Sequence, residues 1–310
     1  MNAVSLPTPS NGDLLMTLSK NEIDPRIFDL YDEYCHGGMD RRAFLKRAAV
    51  ITVYGVSGLA MAQALLPRYV QAQTISFTDE RITPNYILYP SPGGNSGEMR
   101  GYLVKPEGDG PFPAVLVVHE NRGLNPHIED VARRAAVAGF LALAPDGLYP
   151  AGGYPGNDDD GRTLQRSLDQ TKLRQDMLNS AHLVRSHSLS TGKLGVTGFC
   201  WGGGVTNFLA TQMGDELQAA VPFYGAAADV EKVAGIRAAL MIQSAEIDPR
   251  VNAMWADYEV ALKQHGVSYQ RHVYPGTRHG FHNNSTPRFD KAAAALAWTR
   301  TIEFFNERLR

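Results

Sequence analysis

The sequence predicts an α/β fold, a mostly parallel central sheet with helices on both faces. Three observations predict it. From about residue 75 onward, short apolar runs alternate with longer amphipathic stretches. Several of those runs, such as AVLVV at 114–118, are unbroken and rich in β-branched residues, as expected of strands covered on both sides. Helix-length segments then separate most of the strands, which calls for crossover connections and parallel pairing.

Taken in order, residues 1–20 are polar, carry Pro7, Pro9 and Gly12, and read as a loose tail. Residues 22–35 place Ile27, Phe28, Leu30, Tyr31 and Tyr34 at near-helical spacing and predict a short amphipathic helix. Residues 40–47 (DRRAFLKR) precede twenty residues without a charge, 48–67, and then the small-residue region of Val70, Gln71 and Ala72. That layout is the layout of an export signal. The uncharged stretch is long enough to span a bilayer, although Thr52, Gly55, Ser57, Gly58 and Gln63 dilute it.

The run DRRAFLK resembles a bacterial twin-arginine signal, with Asp40 where Ser or Thr is usual and 40 residues ahead of the arginine pair. Two expectations follow. Either the chain is exported to the periplasm and loses this segment, or residues 22–66 form a helical segment that packs on the enzyme and is retained in the cytoplasm. Membrane contact is expected only through this segment, if uncleaved.

The remaining elements are strands at 86–89 and 99–104 split by the turn-rich Pro92-Gly93-Gly94-Asn95, then 114–118, and a helix at 127–138 ended by Gly139. A strand at 140–144, one long helix at 162–187, a strand at 194–197 and a helix from Trp201 to about Met213 come next. Strands at 219–223 and 239–243, a helix at 252–265, a strand at 269–274 and a closing helix at 288–308 complete the chain. The length of 310 residues suggests two domains at about 150 residues each. The pattern reads instead as one domain, 76–310, preceded by an N-terminal region, 1–75.

Composition narrows the function. Thirty Lys and Arg against 32 Asp and Glu leave a net charge of -2, without the basic surplus of a nucleic-acid binder. Two cysteines, Cys35 and Cys200, exclude a disulfide scaffold and a four-cysteine zinc site. The histidines His119, His127, His182 and His187 are isolated and lack metal-ligand spacing, so no metal and no cofactor is expected. The run Asp158-Asp159-Asp160 lacks the rest of a calcium loop and reads as a solvated acidic stretch. Oligomeric state is not legible.

The chemistry centres on Thr197-Gly198-Phe199-Cys200-Trp201-Gly202-Gly203. This is a G-x-nucleophile-x-G elbow between a strand and a helix, with Cys in the nucleophile position. The glycines permit the sharp turn, and the helix N-terminus aims its free N–H groups and positive dipole end at the thiol. An elbow nucleophile needs an acid and a base, in that chain order. Asp248 follows one strand, with Glu246 as its competitor; His279 follows the next, with His282 as its competitor. Asp248 and His279 are preferred, giving a Cys-His-Asp set of Cys200, His279 and Asp248.

From about residue 78 to 308 the chain resembles the dienelactone hydrolase family, within the α/β-hydrolase fold. The residues that carry the resemblance are GFCWGG (198–203), the regions of Asp248 and His279 with their spacing, and HENRGL (119–124). The resemblance implies a triad of Cys200, His279 and Asp248, and a role for Glu120 in keeping or removing the thiol proton. It also implies an oxyanion hole made by the backbone N–H groups of Asn121 and Trp201. In the dienelactone-cleaving members, arginines hold the substrate carboxylate, one of them just after the catalytic His. Here Gly280-Phe281-His282-Asn283-Asn284 follows His279, with Arg122, Arg162, Arg166 and Arg278 as possible substitutes.

The expected activity is hydrolysis of a small-molecule ester or lactone through a thioester, with 147–161 a candidate lid. Two other classes stay in view. One is a non-catalytic binding protein on a hydrolase fold. The other is a thiol redox enzyme, for which no resolving cysteine lies near Cys200 in sequence.

Overall fold

In the computed structural model, residues 23–36, 38–53 and 56–310 are described. The tail expected at 1–20 lies outside the described residues. The N-terminal region holds helices α1 (Pro25–Cys35) and α2 (Arg41–Ala49), the short strands β1 (Thr52–Val53) and β2 (Val56–Ser57), and helix α3 (Gly58–Ala64). Asp24, Asp40 and Ser57 cap the three helices through their side chains.

The uncharged stretch 48–67 is thus broken into a tight antiparallel pair and a seven-residue helix. Gly58 makes the break possible: a Cβ there would lie 2.0 Å from the Ala48 carbonyl oxygen. Among the described residues no helix is long and apolar enough to cross a membrane. This region has its own core, with Ile27, Phe28, Tyr31, Phe44, Met61 and Leu65 nearly or fully buried.

The rest of the chain builds an eight-stranded sheet. Its strands are β3 (Ile82–Pro90), β4 (Glu98–Pro106), β5 (Phe112–Val118), β6 (Leu141–Pro145), β7 (Ser190–Phe199), β8 (Ala219–Phe223), β9 (Ala239–Ile247) and β10 (Tyr269–Arg278). The order is β10-β9-β8-β7-β5-β6-β4-β3. The strands from β5 to β10 pair in parallel, and β4 and β3 close one edge antiparallel.

Strand β5 explains the unbroken apolar run. Val115 and Val117 pack with α4 (Pro126–Val137) on one face; Ala114, Leu116 and Val118 join the opposite core. The chain leaves β5 for β6 on one side and later returns as β7 on the other. This reversal between β5 and β7 is where open parallel sheets leave a crevice at their carboxyl ends.

Three expected helices differ. The long helix at 162–187 is two helices, α5 (Asp158–Ser167) and α6 (Gln170–Ser186), because Asp169 accepts from the N–H groups of Thr171 and Lys172 and starts a new one. The acidic run 158–160 is the first turn of α5, where carboxylates favour the helix dipole. The helix at 252–265 is split into α8 (Pro249–Asn252) and α9 (Trp255–Gln264), after α7 (Trp201–Met213). The closing helix α10 (Lys291–Leu309) starts after its Asp290 cap, three residues later than expected at 288.

Candidate active site

Cys200 sits between β7 and α7 with φ 57° and ψ −113°, a conformation that costs strain in any residue with a Cβ. The elbow closes only because its neighbours are glycines. A Cβ on Gly198 would lie 2.2 Å from the Gly202 carbonyl oxygen, and one on Gly202 would lie 2.4 Å from that of His119. The thiol therefore stands over the first turn of α7, whose early N–H groups have no carbonyl one turn back.

His279 follows β10 and is buried. Its Nδ1 lies 2.6 Å from Asp248 Oδ2. The other Asp248 oxygen accepts from Val251 N–H at 3.2 Å, capping α8, so both of its oxygens are used. The competitors are elsewhere. Glu246 accepts from Gly276 N–H at 2.8 Å. His282 is packed among Phe199, Phe223 and Trp298, and burial holds its ring neutral.

Burial pushes the Cys200 thiol up, but the neighbouring His279 and then His36 bring it down to about 5. His279 in turn is raised: burial opposes its charge, and the Cys200 thiolate and Asp248 outweigh that. Both shifts act toward a thiolate beside a protonated imidazole.

Glu120 is buried at the end of β5. One of its oxygens accepts from Asn283 at 3.1 Å and lies 3.6 Å from Arg122 Nε. Burial alone would raise its pKa, and Arg122 holds it below the ordinary carboxylate value. The structure thus sets Glu120 on Arg122 and Asn283. Asn121 and Trp201 both line the cavity at Cys200. His119 is structural: its ring stacks on Trp201 and accepts from Gly147 N–H at 3.1 Å.

The cavity measures about 330 Å³ and carries Arg174, Lys232 and Arg250, with Asp229 as its acidic residue. Of the arginines weighed from the sequence, Arg122 is buried on Glu120 and Asp158, while Arg278 pairs with Asp29 at 2.7 Å. Arg162 stacks on Tyr34, and Arg166 lies with it around a smaller cavity of about 130 Å³ that His36, Asn121 and Trp201 also line. In the 147–161 stretch, Asp158 ties down Arg122, Tyr69 and Tyr154.

One residue at the thiol escaped sequence reasoning. His36, at the C-terminal end of α1, has its Nε2 3.9 Å from Cys200 Sγ, across 164 residues of chain. Donor atoms of His36, Cys200 and His279 lie within 4.8 Å of one another. That spacing would admit a small cation, but the Arg250 guanidinium stands 2.7 Å from His36 Nε2 and sets positive charge against one. Nothing local in Tyr34-Cys35-His36 marks the residue; it sits just ahead of the arginine pair, where the pattern reads as a leader.

The family model described as dienelactone hydrolase family matches residues 99–309. A second model, described as YqhI-like, matches residues 16–51. An Escherichia coli (strain K12) protein named "Putative carboxymethylenebutenolidase" is 30% identical over 269 residues, covering 81% of this chain and 95% of its own. "Protein usf" of Aquifex pyrophilus is 33% identical over 226 residues, covering 69% of this chain and 96% of its own.

Among solved structures, a dienelactone hydrolase-like promiscuous phosphotriesterase from metagenomic libraries superposes with a TM-score of 0.63 at 25% identity, covering 74% of this chain and all of that one. The chain has the α/β-hydrolase fold and is an ester or lactone hydrolase belonging to the dienelactone hydrolase family.

Proposed function

We propose that the enzyme hydrolyses small carboxylic esters or lactones through Cys200, with His279 as acid–base and Asp248 as its orienting carboxylate. The observation that carries this reading is the strained elbow thiol, brought down to about 5 beside a histidine whose Nδ1 is fixed on Asp248 at 2.6 Å.

The Cys200 sulfur attacks the acyl carbon, and the carbonyl electrons move to oxygen. Backbone N–H groups of Trp201 and Asn121 receive that oxyanion; a donor of this kind contributes about 2.7–4 kcal/mol in transition-state stabilisation. The C–O bond then breaks, and His279 gives its proton to the leaving alkoxide. Water attacks the thioester, His279 accepts a water proton, and the thiolate departs. Asp248 holds the tautomer throughout.

Glu120 is given the family's role of exchanging the thiol proton, which requires it to turn from Arg122 and Asn283 toward the sulfur. The cationic lining of the cavity favours a substrate whose acyl part carries negative charge. Turnover of lactones, p-nitrophenyl esters of graded length and a dienelactone, by the enzyme and by Cys200→Ala, tests the reading.

The arginine pair Arg41 and Arg42 supports a second reading for the N-terminal region, periplasmic export with removal of residues 1–72. The contacts of Asp29, Tyr31, Asp32, Cys35 and Tyr69 with the hydrolase unit favour retention instead. A mature N-terminus near residue 73 in protein from its host supports export with removal, and intact residues 23–72 contradict it.

A further inference from the structure

Two Asp–His units converge on one sulfur. The first is Asp248–His279. The second belongs wholly to the N-terminal region. Asp32 Oδ2 lies 3.4 Å from His36 Nδ1, and the same nitrogen lies 2.8 Å from the Asp32 carbonyl oxygen. Both contacts leave Nε2 turned toward Cys200. The rings of His36 and His279 meet edge-on at 4.6 Å.

The segment that carries this unit is anchored by groups of the hydrolase domain. Asn121, whose backbone N–H is assigned to the oxyanion hole, donates through its side chain to the Cys35 carbonyl oxygen at 2.8 Å. Arg288 is buried, lies over the Tyr31 ring and stands 3.7 Å from Asp32. A guanidinium is costly to bury without aromatic or anionic partners, and here the N-terminal segment supplies them.

We propose that the N-terminal segment is a working part of the active site, and that its Asp32–His36 unit is a second acid–base pair on the Cys200 thiol. This rests on Cys200 being the nucleophile. The groups facing His36 are Asp32 from its own helix, Cys200 from the elbow, His279 after β10 and Arg250 from α8, with Arg288 acting on Asp32 and with Arg162 and Arg166 of α5 lining the small cavity that His36 shares. Asp32 and the thiolate favour the protonated ring. Arg250 donates to the same Nε2 and so favours the neutral ring; His36 takes the thiol proton only when that guanidinium moves off Nε2 and frees its lone pair.

The test follows the thiol rather than turnover. Alkylation of Cys200 by iodoacetamide is measured against pH in the full chain, read by mass spectrometry on the Cys200 peptide. In His36→Gln the midpoint is expected to rise by about one unit, so that alkylation on the acid limb slows about tenfold. Asp32→Asn, which keeps the ring and removes its carboxylate, is expected to give a smaller rise.

A companion measurement needs no variant. Histidine ring signals are titrated by NMR before and after Cys200 is capped with a neutral methylthio group, and His36 and His279 are both expected to titrate lower afterwards. Unchanged alkylation midpoints in folded variants, or a response from His279 alone, would overturn the proposal. The nucleophile reading fails separately, if Cys200→Ala keeps full activity.

Discussion

His279 Nδ1 and Asp248 Oδ2 are 2.6 Å apart, both side chains buried, while the other Asp248 oxygen caps the next helix. The contact sets Nδ1–H on the carboxylate, so that in the neutral ring Nε2 is the nitrogen without a proton. Asp248→Asn is expected to lower kcat/KM by about 10²–10⁴-fold, because an amide does not enforce that tautomer. Steady-state kinetics on whichever ester or lactone turns over checks this, and a loss under tenfold contradicts it.

The thiol is expected to show its pairing in the pH profile. Alkylation of Cys200 should reach half its plateau near pH 5, since burial acts upward and His279 with His36 act downward more strongly. The sign for stability follows. The lowered thiol contributes fully above its ordinary value of 9.0, and that contribution is lost as pH falls through about 5. Raised His279 contributes fully below its ordinary 6.5 and loses that contribution as pH rises through its higher folded value. An alkylation midpoint near that of a free thiol would contradict the pairing.

The elbow leaves no room for a methyl group. Gly202→Ala would put its Cβ 2.4 Å from the carbonyl oxygens of Val118 and His119, at the carboxyl end of β5. Backbone has to move, so a loss of about 3 kcal/mol is expected, at the upper end of overpacking costs. Chemical denaturation checks it, and a midpoint equal to that of the parent enzyme contradicts it.

The cavity cations should sort substrates by charge. Arg174→Ala is expected to raise KM for an acyl group bearing a carboxylate by about tenfold or more, the worth of one hydrogen bond to a charged group. A neutral ester of the same size should be unaffected. Equal effects on both esters would mean that Arg174 supports the fold, where its guanidinium lies 5.5 Å from the Phe208 ring centre.

The N-terminal region should depend on the buried arginine. Arg288→Ala removes the cation between Tyr31 and Asp32 and should release the segment by about 1.5–3 kcal/mol. Limited proteolysis would then cut within residues 23–72 faster than in the parent enzyme. An unchanged cleavage rate contradicts this anchor.

Much of the architecture was legible because it is written in local pattern. Ala114, Leu116 and Val118 against Val115 and Val117 make a strand with two apolar faces, and the glycines around Cys200 can serve little but a tight elbow. The order Cys200, Asp248, His279 was legible from spacing and strand ends. The helix break at Asp169 was not, since a cap competes with an otherwise continuous apolar period.

His36 was least legible, because what makes it part of the site is a contact across 164 residues. The local structure of the twenty uncharged residues from Ala48 was not legible either: their length and lack of charge say nothing of the close packing of Gly58 on the Ala48 carbonyl, which sets a seven-residue helix inside the stretch.

The most direct test of the central claim is rapid acid quenching during turnover of an activated ester, with the Cys200 peptide weighed afterwards. Cys200 is predicted to carry the acyl mass in the parent enzyme, and Cys200→Ala to carry none and to lose turnover. An acyl adduct on another residue, or full turnover by Cys200→Ala, would contradict the account.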